Sequence, residues 1–315
     1  MWGRSAKHLN LIILPTEKCT FRCVYCYEDF LKGKMPLEVV DSVKSFISSQ
    51  VNEIGSLRIE FFGGEPLLAY DVIVEILQTA QRLTSAHRIG YGAAITTNGY
   101  LLDPKKFTNL VSYGLKKYQI TFDGEADYHD GVRAIMGKTP TFERIFRNLI
   151  LMASTGLEFE VTVRVHVHEG NVDSVRRLVD LISDNLGGDR RYSLFIRSIS
   201  RLGGPNDEMV KVADRDRVNE LKRYTLQKGI AVAELPSDYV CYAADPSSII
   251  IRSDGSISKC TVAFKWDRNH IGRLERGGKL NIDYSKFLFW TRGQLSRDRG
   301  ELACPLNPTR EEVGD

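Results

Sequence analysis

No run of apolar residues in this 315-residue sequence approaches the ~18 that a membrane-spanning helix needs, so a membrane span is excluded. Neither sign of charge dominates. Forty-three Lys and Arg stand against 40 Asp and Glu, a formal net charge of +3. A balance so close to zero, with no basic stripe interleaved with aromatics, gives no support to nucleic-acid binding. Hydrophobic residues make up 43% and charged residues 26%, which removes disorder and collagen-like repeats. The segment Met1 to His8 has no apolar core behind its charges; it does not read as a secretory signal, and a reducing cytoplasm is expected. Cysteine is scarce as well, but its six copies are unevenly placed. Cys19, Cys23 and Cys26 crowd into eight residues, while Cys241, Cys260 and Cys304 lie in the last quarter. Disulfides are disfavoured in a reducing compartment, so a local cluster reads first as metal binding or catalysis.

Between the two groups, short β-rich runs alternate with helical patterns. Strands are expected over 9–14, 57–62, 91–97, 118–122, 158–167 and 192–197, with helices over about 35–53, 67–85, 103–113, 140–155 and 171–186. Thr139-Pro140-Thr141-Phe142-Glu143 and Asn171-Val172-Asp173 are readable helix starts. Six strands in strict alternation predict a parallel sheet, either doubly wound or part of a (β/α) barrel.

The fifth strand favours the barrel. In the run from Val161 to His168 every other residue is valine, and Thr162, Arg164, His166 and His168 fall between. A strand covered by helices on both faces is apolar on both, so one polar face implies a strand that looks into a lumen. Gln119, Thr121 and Asp123 share a face of the fourth strand, Arg58 and Glu60 one of the second, and Arg197 joins from the sixth. The expected fold is therefore α/β, a partial (β/α)6 barrel with parallel strands. A half-exposed antiparallel sheet is the alternative. For Arg164, His166 and His168 a functional role and a plain surface or satisfied-core role weigh evenly, and a metal-binding His166–His168 pair is the weaker reading.

Directly after the first strand comes Cys19-Thr20-Phe21-Arg22-Cys23-Val24-Tyr25-Cys26, a C-x3-C-x2-C spacing. Three thiolates on one loop hold three irons of a [4Fe–4S] cube and leave the fourth open to a chelating small molecule. Zinc is the competitor, but a structural zinc site closes with a fourth Cys or His, and none stands nearby in the sequence. Three buried structural thiols are the remaining reading.

This loop resembles the cluster loop of the radical S-adenosylmethionine (radical SAM) enzymes, with Tyr25 as the aromatic before the last cysteine. Gly63-Gly64-Glu65-Pro66 is similar to that family's motif for the methionine amino group, and Thr96-Thr97-Asn98-Gly99 to a second one. Thr121-Phe122-Asp123-Gly124, then His129-Asp130, Arg133, Gly137 and Thr141-Phe142 look like the segment found in peptide- and protein-modifying members and in anaerobic sulfatase maturases. The resemblance implies a [4Fe–4S] cluster on Cys19, Cys23 and Cys26, and S-adenosyl-L-methionine held by Gly63, Gly64, Glu65, Pro66, Thr97, Asn98, Thr121, Arg133 and Arg164. Tyr25 is expected near the adenine, and Arg133, with its fork of donors, at the carboxylate. Asp123 is the candidate for contact with substrate; a turn-forming Asp-Gly is the plainer reading. Taken singly, Gly-Gly-Glu-Pro and Thr-Asn-Gly are ordinary turns. Their value lies at the carboxyl ends of consecutive strands, where a barrel puts its chemistry.

A polar Gly/Pro-bearing link over about 199–212 and a charged helix over about 214–228 precede a change of pattern. Ser248–Arg252 and Ile257–Cys260 flank Ser253-Asp254-Gly255, a hairpin signal that returns Cys260 toward Cys241. With His270-Ile271-Gly272-Arg273-Leu274 this segment resembles the auxiliary-cluster domain called SPASM, or its shorter relative twitch. The expected division is a core over 1–212 and a small α+β auxiliary domain over 213–315. A full SPASM domain carries seven cysteines for two clusters. Only Cys241, Cys260 and Cys304 are present here, so one auxiliary cluster or three ordinary buried thiols are the readings. The run Cys304-Pro305-Leu306-Asn307-Pro308 also reads as the start of a truncated cysteine-rich tail.

The resemblance implies an oxidoreductase that cleaves S-adenosylmethionine to a 5′-deoxyadenosyl radical and takes hydrogen from a ribosomally made peptide. An external electron donor of the flavodoxin or ferredoxin type follows from it. Without a leader-binding segment before residue 9, so does a separate leader-peptide-binding protein or a groove on the barrel. The alternatives are a sulfatase maturase and a non-catalytic iron–sulfur carrier or redox sensor; the Gly-Gly-Glu-Pro loop speaks against the carrier, which needs no amino-acid chelate site.

Overall fold

A computed structural model describes residues 8–135, 137 and 139–306. Readings that rest on Met1–Lys7 or on Asn307-Pro308 lie outside those residues. The expected alternation is present. Strands β1 (His8–Ile13), β2 (Ser56–Phe61), β3 (Gly90–Thr97), β4 (Leu115–Phe122), β5 (Glu160–Val167) and β6 (Tyr192–Ser198) are separated by helices α1 (Leu37–Gln50), α2 (Tyr70–His87), α3 (Pro104–Ser112), α4 (Ala126–Val132), α5 (Phe142–Ala153) and α6 (Val172–Leu186). Beyond them come α7 (Arg215–Gln227), β7 (Ala231–Val232), β8 (Ser248–Ile251), β9 (Ser256–Ser258), β10 (His270–Leu274), β11 (Leu280–Ile282), α8 (Tyr284–Thr291), α9 (Gly293–Ser296) and α10 (Arg299–Ala303). No helix among the described residues is long and apolar enough to cross a membrane.

The chain forms two compact units that do not follow its linear order. One is built from the segment ending at Glu17, from Leu31–Ala93 and from the segment starting at Leu235; the other from Lys18–Phe30 and Ala94–Glu234. In the first unit β1 pairs in parallel with β2 on one side (Leu9 opposite Leu57, Ile13 opposite Phe61) and with β8 on the other (Asn10 opposite Ser248, Ile13 opposite Ile251). Flanked on both edges, β1 is buried from Leu9 onward, and its sequence there is apolar apart from Asn10, whose Nδ2 donates to Ser248 Oγ at 3.2 Å. β8 and β9 form the expected hairpin across Ser253-Asp254-Gly255, and β9, β10 and β11 continue it as an antiparallel extension.

In the second unit β4, β5, β6 and β7 are all parallel, which overturns the antiparallel alternative. Val161, Val163, Val165 and Val167 are buried, as are Ile120, Phe122, Leu194 and Ile196; α3 packs on β4, α6 on β5 and α7 on β6. The alternate residues of β5, Thr162 to His168, remain half-buried. One apolar and one polar face is the pattern expected from the valine alternation.

Helix starts follow local chemistry. Asp103 Oδ1 accepts from Lys106 N (2.9 Å) to cap α3. At α5 the cap comes from outside the local run: Asp130 Oδ1 accepts from Thr141 N (2.7 Å) and Phe142 N (2.9 Å). Helix α6 begins where expected, but the Asn171 side chain does not cap it; it is used at the site described next.

Candidate active site

The cysteine loop leaves β1 and is pinned by its backbone within the second unit. Arg22 N donates to Ala134 O and Val24 N to Val132 O, both at 3.0 Å, and Asn206 Nδ2 donates to Val24 O at 2.9 Å. Cys26 N closes a turn onto Cys23 O (3.1 Å). All three thiols are half-buried. Burial raises the Cys23 thiol above its ordinary pKa, with Arg133 opposing, and lifts Cys26 to about 11. Phe21 N donates to Cys19 Sγ at 3.3 Å. A backbone N–H aimed at sulfur is the kind of donor that stabilises a cluster-bound thiolate. Among the described residues no three His, Cys, Asp or Glu side chains gather closely enough to hold one metal ion. The donor set suits a multi-iron cluster, in which each sulfur has its own iron.

Tyr25, in the same loop, reaches a buried polar network on β4, β5 and the end of α4. Its hydroxyl lies 2.5 Å from Asp123 Oδ2, accepts from Arg133 Nη1 at 2.6 Å, and faces His166 Nδ1 at 3.2 Å. His166 Nδ1 is also 3.2 Å from Asp123 Oδ1. Arg164 Nε donates to His166 Nε2 at 2.8 Å, which makes Nε2 the acceptor and puts the ring proton on Nδ1, toward Asp123. Burial pushes the Asp123 carboxyl up, but the Arg133 charge and the adjoining His166 ring outweigh it and hold the group well below the usual carboxylate range. Burial lowers His166, opposed by Asp123, and keeps the ring neutral. For Tyr25 burial dominates and raises the phenol well above its normal value. Arg133 is buried and its Nε has no partner among the described residues.

Two residues that the sequence left open or missed complete this centre. His166, evenly balanced in the sequence between a functional role and a surface or core one, joins Tyr25, Asp123 and Arg164. Asn171 sends Nδ2 to Asp123 O and His166 O, each at 2.8 Å, and Oδ1 accepts from His168 N at 2.9 Å. Its only sequence signal was a helix start. His168 is used differently: its Nδ1 accepts from Gly170 N (3.0 Å) and its ring lies 5.0 Å from Tyr128. It belongs to the β5–α6 turn.

The other candidate positions are accounted for locally. Thr121 is buried on β4, opposite Arg164 in register. Thr97 Oγ1 accepts from Gly99 N (3.1 Å) and Asn98 Oδ1 from Tyr100 N (2.9 Å), so both side chains shape the turn after β3. In the first unit, Gly63 has φ +122°, and a Cβ there would run into Thr16 O; no other residue fits. Gly64 follows, and Glu65 is fully buried, with Oε1 accepting from Leu67 N (2.9 Å) at the start of the 3-10 turn Pro66–Ala69. Pro66 occupies the first helical position, where its missing N–H costs nothing.

The C-terminal cysteines also lie in the first unit. Cys241 N donates to Leu302 O (2.8 Å), tying it to α10, and Cys304 follows that helix. Cys260 follows β9, where the buried Asn269 accepts from Cys260 N and donates to Cys260 O, both at 2.8 Å. Ionised, the Cys241 and Cys304 thiols would raise that of Cys260, and Cys304 that of Cys241, so the three lie in one neighbourhood of this unit. Burial raises both Cys241 and Cys260. Val262 N donates to Cys260 Sγ at 3.4 Å, repeating the motif at Cys19.

A family model described as Radical SAM superfamily matches residues 13–182, more than half of the chain. The PqqA peptide cyclase of Streptomyces rochei is 28% identical over 181 residues, which is 58% of this chain and 46% of that protein. The chain spans about half the length of the curated relatives it matches. Among solved structures, anSMEcpe with bound AdoMet and Cp18Cys peptide superposes with a TM-score of 0.64 at 18% identity, covering 89% of this chain and 80% of that one. SuiB of Streptococcus suis bound to the precursor peptide SuiA gives 0.60 at 18%, covering 82% and 61%. At such identities the structural likeness carries the fold: parallel α/β, with antiparallel strands in the C-terminal part. With the match extending from β1 through the cysteine loop to α6, this chain belongs to the Radical SAM superfamily of enzymes.

Proposed function

We propose that this chain is a peptide-modifying radical SAM oxidoreductase, a maturase of a ribosomally made peptide that takes a hydrogen atom from its substrate. The observation that carries the reading is the join between the cysteine loop and the Tyr25–Arg133–Asp123 centre within one compact unit. Cys19, Cys23 and Cys26 hold a [4Fe–4S] cluster. Gly63 to Pro66 receive the amino group of S-adenosyl-L-methionine, Thr97, Asn98 and Thr121 line its site, and Tyr25 lies at its adenine end. Arg133 takes the carboxylate; its orphaned, buried Nε is a donor in want of an acceptor. Bound together, the cluster and S-adenosylmethionine supply one-electron cleavage of the sulfonium to methionine and a 5′-deoxyadenosyl radical.

The chain's own residues do the rest. Asp123, held ionised by Arg133 and His166, fixes the Tyr25 hydroxyl, and Asn171 fixes the backbone carrying Asp123 and His166. Such a prearranged polar centre costs no reorganisation when charge shifts near it. Cys241, Cys260 and Cys304 would hold an auxiliary cluster, which would supply an electron acceptor for the product or a point of attachment for the peptide. The peptide substrate is supported by the relatives, one named a PqqA peptide cyclase and two solved with bound peptides. A flavodoxin- or ferredoxin-type donor, a separate leader-peptide-binding protein and a cytoplasmic setting complete the reading.

The test is anaerobic reconstitution followed by dithionite and S-adenosylmethionine. Release of 5′-deoxyadenosine by the wild type and not by Cys23→Ala supports the proposal. Equal, background release from both overturns it.

A further inference from the structure

The polar face of β4–β6 carries more positive charge than its own residues neutralise. Arg164 is half-buried, and its only hydrogen-bond partner among the described residues is His166, a neutral acceptor reached through Nε. Both terminal amino groups are left without a protein acceptor among the described residues. Arg197 lies opposite His166 in register, and its guanidinium sits over the Phe195 ring, 5.4 Å from the centroid. Phe195 is in turn the register neighbour of Arg164. The two arginines therefore share one face of neighbouring strands, near enough for Arg197 to repel Arg164. Neither has a carboxylate within 4.0 Å among the described residues. The carboxylate on this face, Asp123, is already taken by Tyr25, His166 and Arg133.

Two like charges beside each other, one partly desolvated, are unfavourable unless an anion joins them. A carboxylate is the anion whose geometry suits a guanidinium fork. The single carboxylate of S-adenosylmethionine is allotted to Arg133, so a second one has to come from the substrate. We propose that Arg164 and Arg197 form a substrate-specificity site that binds a peptide carboxylate, with Phe195 as its apolar floor. This rests on the peptide-substrate reading and moves Arg164 from the cofactor to the substrate. The carboxylate is supplied either by an acidic side chain or by a peptide C-terminus.

The experiment uses the cluster-reconstituted protein with S-adenosylmethionine and no reductant. Three glycine pentapeptides are titrated by saturation-transfer NMR: one with a central glutamate and an amidated C-terminus, one with glutamine and an amidated C-terminus, and one with glutamine and a free C-terminus. Charge-assisted pairing predicts about tenfold tighter binding of a carboxylate-bearing peptide than of the uncharged one. The first and third peptides separate side chain from terminus. The preference is expected to vanish in Arg197→Met and Arg164→Gln and to survive in part in Arg164→Lys, with cofactor affinity unchanged in Arg197→Met. Equal binding of all three peptides overturns this site alone, and binding of none overturns the peptide reading with it. A preference that persists in both neutral variants, or loss of cofactor affinity without loss of preference in Arg164→Gln, returns Arg164 to the cofactor.

Discussion

Arg252 Nε lies 3.0 Å from Glu17 Oε1, and its terminal nitrogen meets the other carboxylate oxygen, with the two side chains only 4% and 0% exposed. Glu17 closes the β1 segment two positions before Cys19, and Arg252 directly follows β8, so the pair clamps the first unit where the chain leaves for the cysteine loop. Arg252 also stacks over Phe264, 4.3 Å from the ring centroid. Deleting one partner strands a buried charge, and Glu17→Gln or Arg252→Met is expected to cost about 3–5 kcal/mol. The double variant Glu17→Met/Arg252→Met should cost less than either single change. Urea denaturation midpoints test this, and additive losses would refute it.

The cap on α5 is reached from α4, not from the preceding residues. Asp130→Ala leaves Thr141 N and Phe142 N without their carboxylate and should lower stability by about 1 kcal/mol. Thermal unfolding reads the loss, and Asp130→Asn should recover much of it, since an amide oxygen also accepts.

A pH effect follows from His129, which is fully buried between Phe122 and Phe142 with both ring nitrogens lacking partners among the described residues. Burial first, then the Arg133 charge, lowers its pKa to about 4. A histidine whose folded pKa lies below its unfolded value of about 6.5 takes up a proton on unfolding between those values. Stability is therefore full above about pH 6.5 and falls as pH drops toward 4. The expected loss from pH 7 to pH 5 is about 2 kcal/mol from this residue. His129→Leu should show a correspondingly smaller drop in denaturation midpoint over that interval; an unchanged drop would sink the assignment.

Much of this was legible in the residue pattern, and what was not has identifiable causes. The valines of β5 announce an apolar face because strand periodicity is strictly two, and their partners then had to form a polar one. Asp254-Gly255 announces the β8–β9 hairpin, but not that β8 lies in parallel against β1, because such pairing depends on contacts between segments far apart in the chain. Helix α4 covers only Ala126–Val132, too short for a 3.6-residue period to show. Asn171 escaped because its partners are the backbone carbonyls of Asp123 and His166, and a carbonyl leaves no trace in the sequence.

The hydroxyl of Tyr25 joins the cysteine loop to Asp123, Arg133 and His166 at once. Tyr25→Phe keeps the ring and removes that atom, leaving Asp123 Oδ2 and Arg133 Nη1 without it. Arg133, now 3.9 Å from Asp123, is then drawn onto that carboxylate and away from a cofactor carboxylate. Affinity for S-adenosylmethionine should fall about tenfold, ~1.4 kcal/mol. Iron content should stay at the wild-type level, because the Cys19 sulfur keeps its backbone donor. Equilibrium binding and iron analysis on one preparation separate the two effects.

The C-terminal thiols allow a sharper test than sequence counting did. Cys241, Cys260 and Cys304 come from three separate segments, yet they share one neighbourhood, and Cys260 receives a backbone N–H as Cys19 does. Burial favours neutral thiols in the metal-free protein, so occupancy by iron has to displace protons and is itself the measurable event. A Cys19→Ala/Cys23→Ala/Cys26→Ala variant, reconstituted anaerobically, should retain iron and the visible absorption of a single cluster. Adding Cys260→Ala should abolish both. Iron-free triple-alanine protein would reduce these cysteines to packed thiols, because the three C-terminal segments that remain intact in that variant keep every cysteine of the auxiliary site.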